Sequence, residues 1–425
     1  MTPAPFDVQA ADRRHLWHPY TQHATADEPL AIVRAEGAYL YDQSGRAIFD
    51  AVSSWWVTLH GHAQPEIAAA IAAQAATLEQ VIFAGFTHEP AARLATELVA
   101  RAPAGLSRVF FSDNGSTAVE VAIKIALQYW QNRGEPRGLI ASMENAYHGD
   151  TFGAMSVSGR GLFTAAFGEH LFEVARLPDP VDEDVVAAFE QLIATRGGEI
   201  AALIVEPMLM GAGGMRMWTA EALRGLRALT AERGILLIAD EVLTGFGRTG
   251  PLFACDNASV SPDLMCLSKG ITGGFIPFAA TLAGERIFET FRSNEYAKTL
   301  FHGHSYTGNP IACAAALASL ELLDERSADR RRSIERSHHA AARRLSAIPA
   351  IENVRVLGTV LALEVRSPDS GYTSATGPAL RRFALEAGVL LRPLGDTVYV
   401  LPPYCATDAD LALAYDTIAK FAETR

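Results

Sequence analysis

Two charged residues stand where buried strands should end. Asp240 closes the apolar run Ile235-Leu236-Leu237-Ile238-Ala239, and Lys269 follows Leu264-Met265-Cys266-Leu267-Ser268 and precedes Gly270. Burying a charge is costly unless it is paired or its proton affinity shifts. A lysine at the mouth of a parallel sheet can shed its proton and attack a carbonyl, forming a Schiff base. An aspartate beside it can pair with a pyridinium nitrogen. Strands also end in Asp or Lys simply because the chain is returning to solvent, so neither residue decides alone. Together they are the two groups that a pyridoxal phosphate (PLP) enzyme needs most.

Other strings offer parts of the same site. Phe111-Ser112-Asp113-Asn114-Gly115-Ser116-Thr117 reads as a strand, a small-residue turn and a helix start. Free amides and the helix dipole make such a junction an anion site, although ordinary capping by Ser or Asn explains it equally well. In Ala146-Tyr147-His148-Gly149-Asp150, Tyr147 could stack on an aromatic ring or simply fill the core. Asp240-Glu241-Val242-Leu243-Thr244-Gly245-Phe246-Gly247-Arg248-Thr249-Gly250 is more specific, with three glycines after a buried strand and Val242 placed to face Tyr147 across a ring. His302-Gly303-His304-Ser305-Tyr306-Thr307-Gly308-Asn309-Pro310 offers Ser305 and backbone amides as a second phosphate contact, or serves only as a loop before a Pro-started helix.

The elements that must position these residues alternate. Strand-like runs fall at Val109–Phe111, Leu139–Ala141, Leu203–Val205, Ile235–Ile238, Leu264–Leu267 and Phe278–Leu282. Helical stretches lie at Ser116–Arg133, Ala220–Glu232 and Asn309–Asp324. Such alternation argues for a mostly parallel α/β sheet flanked by helices, with ligands at the carboxyl ends of its strands. The last hundred residues instead read as a smaller α+β unit, with helices near Ala328–Ala347, Gly377–Ala387 and Asp408–Ala422 and strands at Val354–Leu357, Val360–Val365, Val389–Arg392 and Val398–Leu401. A hairpin-like pair, Ala31–Arg34 and Ala38–Tyr41, is expected to pack with it. The expected division is 1–60 and 326–425 for the small domain, and 61–325 for the large one.

Bulk composition excludes several partners. The chain has 425 residues, 49% apolar and 20% charged, with net charge −12 and no long basic run. Nucleic acid and anionic membranes are therefore not expected partners. Arg330-Arg331-Arg332 reads as a solvated helix face. Cys255, Cys266, Cys313 and Cys405 form no metal spacing and read as buried thiols in a reducing cytoplasm. No metal site is expected. Met1 to Asp7 lacks the pattern of a signal peptide.

The combination of strings, in order and over nearly the whole chain, resembles the class III, fold-type I, PLP-dependent aminotransferases. Within that family the match is nearest to the branch that aminates 8-amino-7-oxononanoate in biotin biosynthesis. Four strings carry the finer match: Leu16-Trp17-His18-Pro19-Tyr20-Thr21-Gln22, Ser53-Ser54-Trp55-Trp56, Ala146–Asp150, and Leu391-Arg392-Pro393-Leu394-Gly395 leading to Tyr399 and Leu401-Pro402-Pro403-Tyr404. The resemblance implies that Lys269 forms the Schiff base with PLP and shuttles the proton, and that Asp240 keeps the pyridine nitrogen protonated. It implies that Gly115 and Ser116 hold the phosphate, that Tyr147 and Val242 flank the ring, that Ser305 reaches the phosphate of the neighbouring subunit's cofactor in a homodimer, and that His304 contacts cofactor and Gly303 substrate. Tyr20, Trp55, Trp56 and Tyr399 would shape the substrate pocket, and Arg392 would pair with the keto acid's carboxylate. An aromatic tunnel would bury the methylene chain at about 0.8 kcal/mol per CH₂. Adjacent tryptophans cannot share one strand face, so at least one of Trp55 and Trp56 is expected to line a cavity.

One departure leaves the amino donor open. Members of this branch best known to use S-adenosyl-L-methionine carry His-Gly-Pro-Thr where this chain has His302-Gly303-His304-Ser305. Some relatives use lysine instead. The rival readings are an ornithine or ω-amino acid aminotransferase, a glutamate-1-semialdehyde aminomutase, and a non-catalytic protein that kept the fold.

Overall fold

The computed structural model describes residues 6–369 and 371–425. The Met1–Pro5 stretch read for a targeting signal lies outside them. The core of the molecule is a seven-stranded sheet. In chain order its strands are β1 (Leu106–Ser112), β2 (Leu139–Met143), β3 (Val174–Leu177), β4 (Ile200–Val205), β5 (Leu236–Asp240), β6 (Leu264–Leu267) and β7 (Ala279–Gly284). Their order across the sheet is β1-β7-β6-β5-β4-β2-β3. β6, β5, β4, β2 and β3 pair in parallel, while β7 runs antiparallel to both β6 and β1. Every residue of β2, β4, β5 and β6 is buried, as strands covered by helices on both faces require.

Helices Gly115–Asn132, Val185–Arg196, Ala220–Arg233 and Pro310–Glu321 flank this sheet. Gly115–Asn132 begins with a capping box, in which the Asn114 side chain accepts from Thr117 N and Thr117 accepts from Asn114 N. The Ala220–Arg233 helix stops at Gly234, whose left-handed φ of 68° ends the turn without a side-chain clash.

The chain ends build two smaller sheets. Ile32–Glu36, Tyr39–Asp42 and Ala47–Asp50 form an antiparallel meander that Val389–Leu390 joins in parallel beside Phe49 and Asp50. Ile351–Leu357, Val360–Val365 and Thr397–Val400 form the other. The N-terminal hairpin therefore does pair with C-terminal chain. On this pattern we propose the division of the chain near residues 60 and 325.

Several sequence expectations need correction. Ser53–Trp56 is a tight irregular turn, with φ of 51°, 59° and 67° at Ser53, Ser54 and Trp56, so the strand-face argument for the two tryptophans does not apply. Arg331 is buried and donates to Gly250 O at 2.9 Å, so the arginine triplet is not wholly a solvated face. Cys405 is exposed, whereas the other three thiols are buried as expected. Among the described residues, no helix is long and apolar enough to cross a membrane, and no cluster of His, Cys, Asp or Glu could hold a metal ion.

Candidate active site

A cleft of about 570 Å³ opens at the carboxyl ends of β1, β2, β5 and β6. Asp240 is the last residue of β5 and pairs in register with Cys266 of β6, so Lys269 emerges just beyond it. The backbone of Lys269 is held at φ 44°, an uncommon conformation for a residue with a Cβ, and one that aims the side chain by fold rather than by preference. Its ammonium lies 4.8 Å from the centre of the Trp56 ring. The side chain lines the cleft. Burial lowers its proton affinity, and the negative charges of Asp240 and Glu206 partly oppose that.

Asp240 is tied down on both oxygens. Oδ1 accepts from Val242 N at 3.0 Å, and Oδ2 lies 2.7 Å from Nδ1 of His148. An ionised carboxylate only accepts, so the imidazole donates from Nδ1. His148 Nε2 is buried and has no partner among the described residues. His148 had no assigned role in the sequence, although it sits inside the Ala146–Asp150 string.

Opposite this floor is the start of the helix Gly115–Asn132. A Cβ at Gly115 would sit 2.7 Å from Cγ1 of Val242, and one at Gly149 would sit 2.1 Å from Oγ of Ser116. Both positions are too tight for a side chain, and both line the cleft. Ser116 Oγ accepts from Asp150 N at 3.1 Å. A planar pyridine carrying a phosphate suits this cradle: an anion at the helix start, a carboxylate at the far edge, and Tyr147 and Val242 among the lining residues.

The outer walls are aromatic. Tyr20 is in edge contact with Trp55 and Phe163, with centroids 5.6 Å apart in each case. Its hydroxyl lies 3.1 Å from that of Tyr147 and donates to the Asp150 carboxylate. Burial and that carboxylate push the Tyr20 phenol up to about 12, and burial pushes Tyr147 up as well. Trp56 Nε1 donates to Tyr399 OH at 2.9 Å, so Tyr399 sits behind the wall and fixes it. The Arg392 guanidinium lies 3.8 Å above the Trp55 ring.

The turn that carries both tryptophans is built on Asp50. This fully buried carboxylate accepts from Val52 N, Ser54 N at 2.6 Å and Ser54 Oγ, and it pairs with His62 Nε2 at 2.9 Å. Asp50 escaped sequence reading because its partners are only recognisable once the turn exists. Phe163, Tyr372 and Glu206, which also line the cleft, carried no motif either.

Thus Tyr20, Trp55, Trp56, Gly115, Ser116, Tyr147, Asp240, Val242, Lys269 and Arg392 meet in one cleft. Gly303, His304 and Ser305 do not line the cleft of their own chain. Ser305 is exposed, and its carbonyl accepts from Gln80 Nε2 at 2.7 Å.

The model of the family "Aminotransferase class-III" matches residues 20–421. The chain belongs to the class-III aminotransferases. Curated relatives agree with this family membership. An adenosylmethionine-8-amino-7-oxononanoate aminotransferase from Synechococcus elongatus is 51% identical, with 95% of this chain and 97% of the relative covered. One from Geobacter sulfurreducens is 40% identical, covering 97% and 96%. Among solved structures, the aminotransferase of that description from Methanocaldococcus jannaschii superposes with a TM-score of 0.94 at 35% identity, covering 98% of both chains. An amine transaminase from an uncultivated Pseudomonas species, solved in its PLP-bound form, gives 0.89 at 34% identity, covering 96% of this chain and 98% of that one. Class-III aminotransferases are PLP-dependent enzymes of fold type I, and this aminotransferase shares both properties.

Proposed function

We propose that this aminotransferase moves an amino group to 8-amino-7-oxononanoate, giving 7,8-diaminononanoate for biotin synthesis. The observation that carries the reading is the cation at the end of an aromatic wall. Arg392 stacks on Trp55 at 3.8 Å, Trp56 is locked to Tyr399, and Lys269 lies at the inner end. A long methylene chain between a carboxylate and a ketone fits such a channel, and the names of the relatives support the same substrate.

PLP, when bound, supplies the electron sink and carries the nitrogen between the two substrates. Lys269 takes and returns the proton at the reacting carbon. Asp240, held by His148, keeps a cation at the cofactor edge. Gly115 and Ser116 bind the phosphate, and Tyr147 and Val242 hold the ring plane. Arg392 anchors the carboxylate by two hydrogen bonds and so sets which carbon reaches Lys269. We assign the donor to S-adenosyl-L-methionine, with lysine as the alternative. We assign the assembly to a homodimer in which Gly303, His304 and Ser305 serve the other subunit's site. The buried free thiols Cys255, Cys266 and Cys313 suit a reducing cytoplasm, where we place the reaction.

The test is a matrix of donors and acceptors in single-turnover experiments. The expected result is rapid amination of 8-amino-7-oxononanoate after loading with S-adenosyl-L-methionine. Efficient turnover of 2-oxoglutarate or pyruvate, with none of 8-amino-7-oxononanoate, rejects the reading in favour of another ω-aminotransferase.

A further inference from the structure

Glu206 follows β4 directly and is a buried carboxyl in the cleft wall. Oε1 accepts from Tyr147 N at 2.8 Å, and Oε2 accepts from Gly211 N at 2.9 Å. Its own carbonyl accepts from Trp218 Nε1 at 3.0 Å, which fixes the main chain on the opposite side. The carboxyl therefore ties together two segments that reach the cleft from different strands. One carries Tyr147. The other carries Gly211, where a Cβ would lie 2.2 Å from Leu243 and 3.6 Å from the Trp56 ring. A carboxylate used only as a bracket could sit outside the cleft at lower desolvation cost.

Its position is also an electrostatic one. Three charged or titratable groups from other elements line the same cleft with it: His148 after β2, Asp240 at the end of β5, and Lys269 after β6. Burial raises its proton affinity to about 7, with Asp240 adding to the rise and His148 and the two backbone amides opposing it. Near neutral pH its charge is consequently adjustable, and that charge favours a proton on Lys269.

We propose that Glu206 is a positioning residue of this site, one carboxyl that holds the Tyr147 and Gly211 backbones in the cleft wall and supplies, with Asp240, the negative charge opposite Lys269. The aminotransferase thus has two carboxylates with separate duties. Asp240 faces the cofactor edge. Glu206 holds the tyrosine backbone and sets how firmly the Lys269 nitrogen, free or joined to PLP, keeps its proton.

The experiment is a pH titration of the visible absorption of the PLP-loaded enzyme without substrate. It stands whichever donor and acceptor the enzyme takes. Glu206→Gln keeps the size and one acceptor while removing the charge. The expected midpoint falls by about one pH unit, a tenfold weaker hold on the proton, while circular dichroism stays that of the parent. Glu206→Asp keeps the charge but not the reach. Its midpoint is expected to stay near the parent value while kcat drops about tenfold, as a shifted Tyr147 requires. A Glu206→Gln midpoint equal to the parent's overturns the proposal. If neither variant folds, Glu206 serves the scaffold alone, and the proposal falls.

Discussion

His148 Nδ1 lies 2.7 Å from Asp240 Oδ2, and the other nitrogen of the same ring is buried without a partner among the described residues. The pair joins the segment after β2 to the end of β5, 92 positions apart in sequence. A carboxylate held this way keeps its charge aimed along one line, toward the cleft.

Replacing His148 with Phe preserves bulk and removes the donor. A hydrogen bond to a charged group is worth roughly 1.5–3 kcal/mol, so kcat is expected to drop about 10- to 100-fold. PLP retention should weaken alongside. Fluorescence titration of the apoenzyme with PLP measures the second effect, and equal affinities in variant and parent would exclude this role for His148.

Lys269→Ala removes the amine that takes the proton at the reacting carbon. All turnover should vanish, and the visible band of the loaded enzyme should shift. A stopped-flow trace showing parent-like half-reactions in the variant contradicts the assignment.

Arg392→Ala separates acceptor from donor. Loss of a two-pronged carboxylate contact should raise KM for 8-amino-7-oxononanoate about 10- to 100-fold. KM for a donor that does not reach Arg392 should change much less. Steady-state kinetics with each substrate varied in turn gives both numbers. Equal rises for both would place Arg392 at a shared contact instead.

Asp50→Ala strips the turn Ser53–Trp56 of its backbone acceptor and leaves His62 unpaired. The expected cost is about 3 kcal/mol of stability, as for breaking a buried, hydrogen-bonded charge. Denaturant unfolding measures it. Acceptor KM should rise as well, because both tryptophans ride on this turn.

His338 makes folding sensitive to acid. It is fully buried between Tyr415 OH at 2.7 Å and the Thr359 carbonyl at 3.0 Å, so Nε2 donates and Nδ1 accepts, as neutral imidazole requires. Burial lowers it from the ordinary 6.5 to about 4. Between those values the unfolded chain binds a proton that the native state refuses, so stability falls as pH drops from 6.5 toward 4. Above 6.5 the group contributes no slope. At pH 5 the loss is about 2 kcal/mol, and His338→Gln should remove it. Urea melts at pH 7.5 and 5 compare the slopes, and identical slopes would argue against His338 as the source.

Parts of this were readable from residue order. β2, β4, β5, β6 and β7 announced themselves as apolar runs, because strands buried on both faces have no room for alternation, and the edge strand β1 showed only as the short run Val109–Phe111. β3 was missed, since Val174-Ala175-Arg176-Leu177 is short and interrupted by a charge. The reversed direction of β7 was not legible as a run, although the glycine-rich Gly270–Gly274 leaves no crossover helix between β6 and β7.

What the amino-acid order determined by itself was the reaction type. Asp240 and Lys269 each end a hydrophobic run, and their types name the cofactor chemistry. Gly115, Tyr147 and Val242 add to that by local motif. What only the tertiary structure decided was how those charges are held and where the substrate can lie. Asp50, His148 and Glu206 look like ordinary polar residues in sequence. Their partners come from other elements or from a turn that exists only in the fold, so their meaning arises when burial forces each carboxyl or imidazole to find a hydrogen bond. The parallel pairing of Val389–Leu390 with Phe49–Asp50 sends two distant segments out in the same direction, and this brings Arg392 over Trp55.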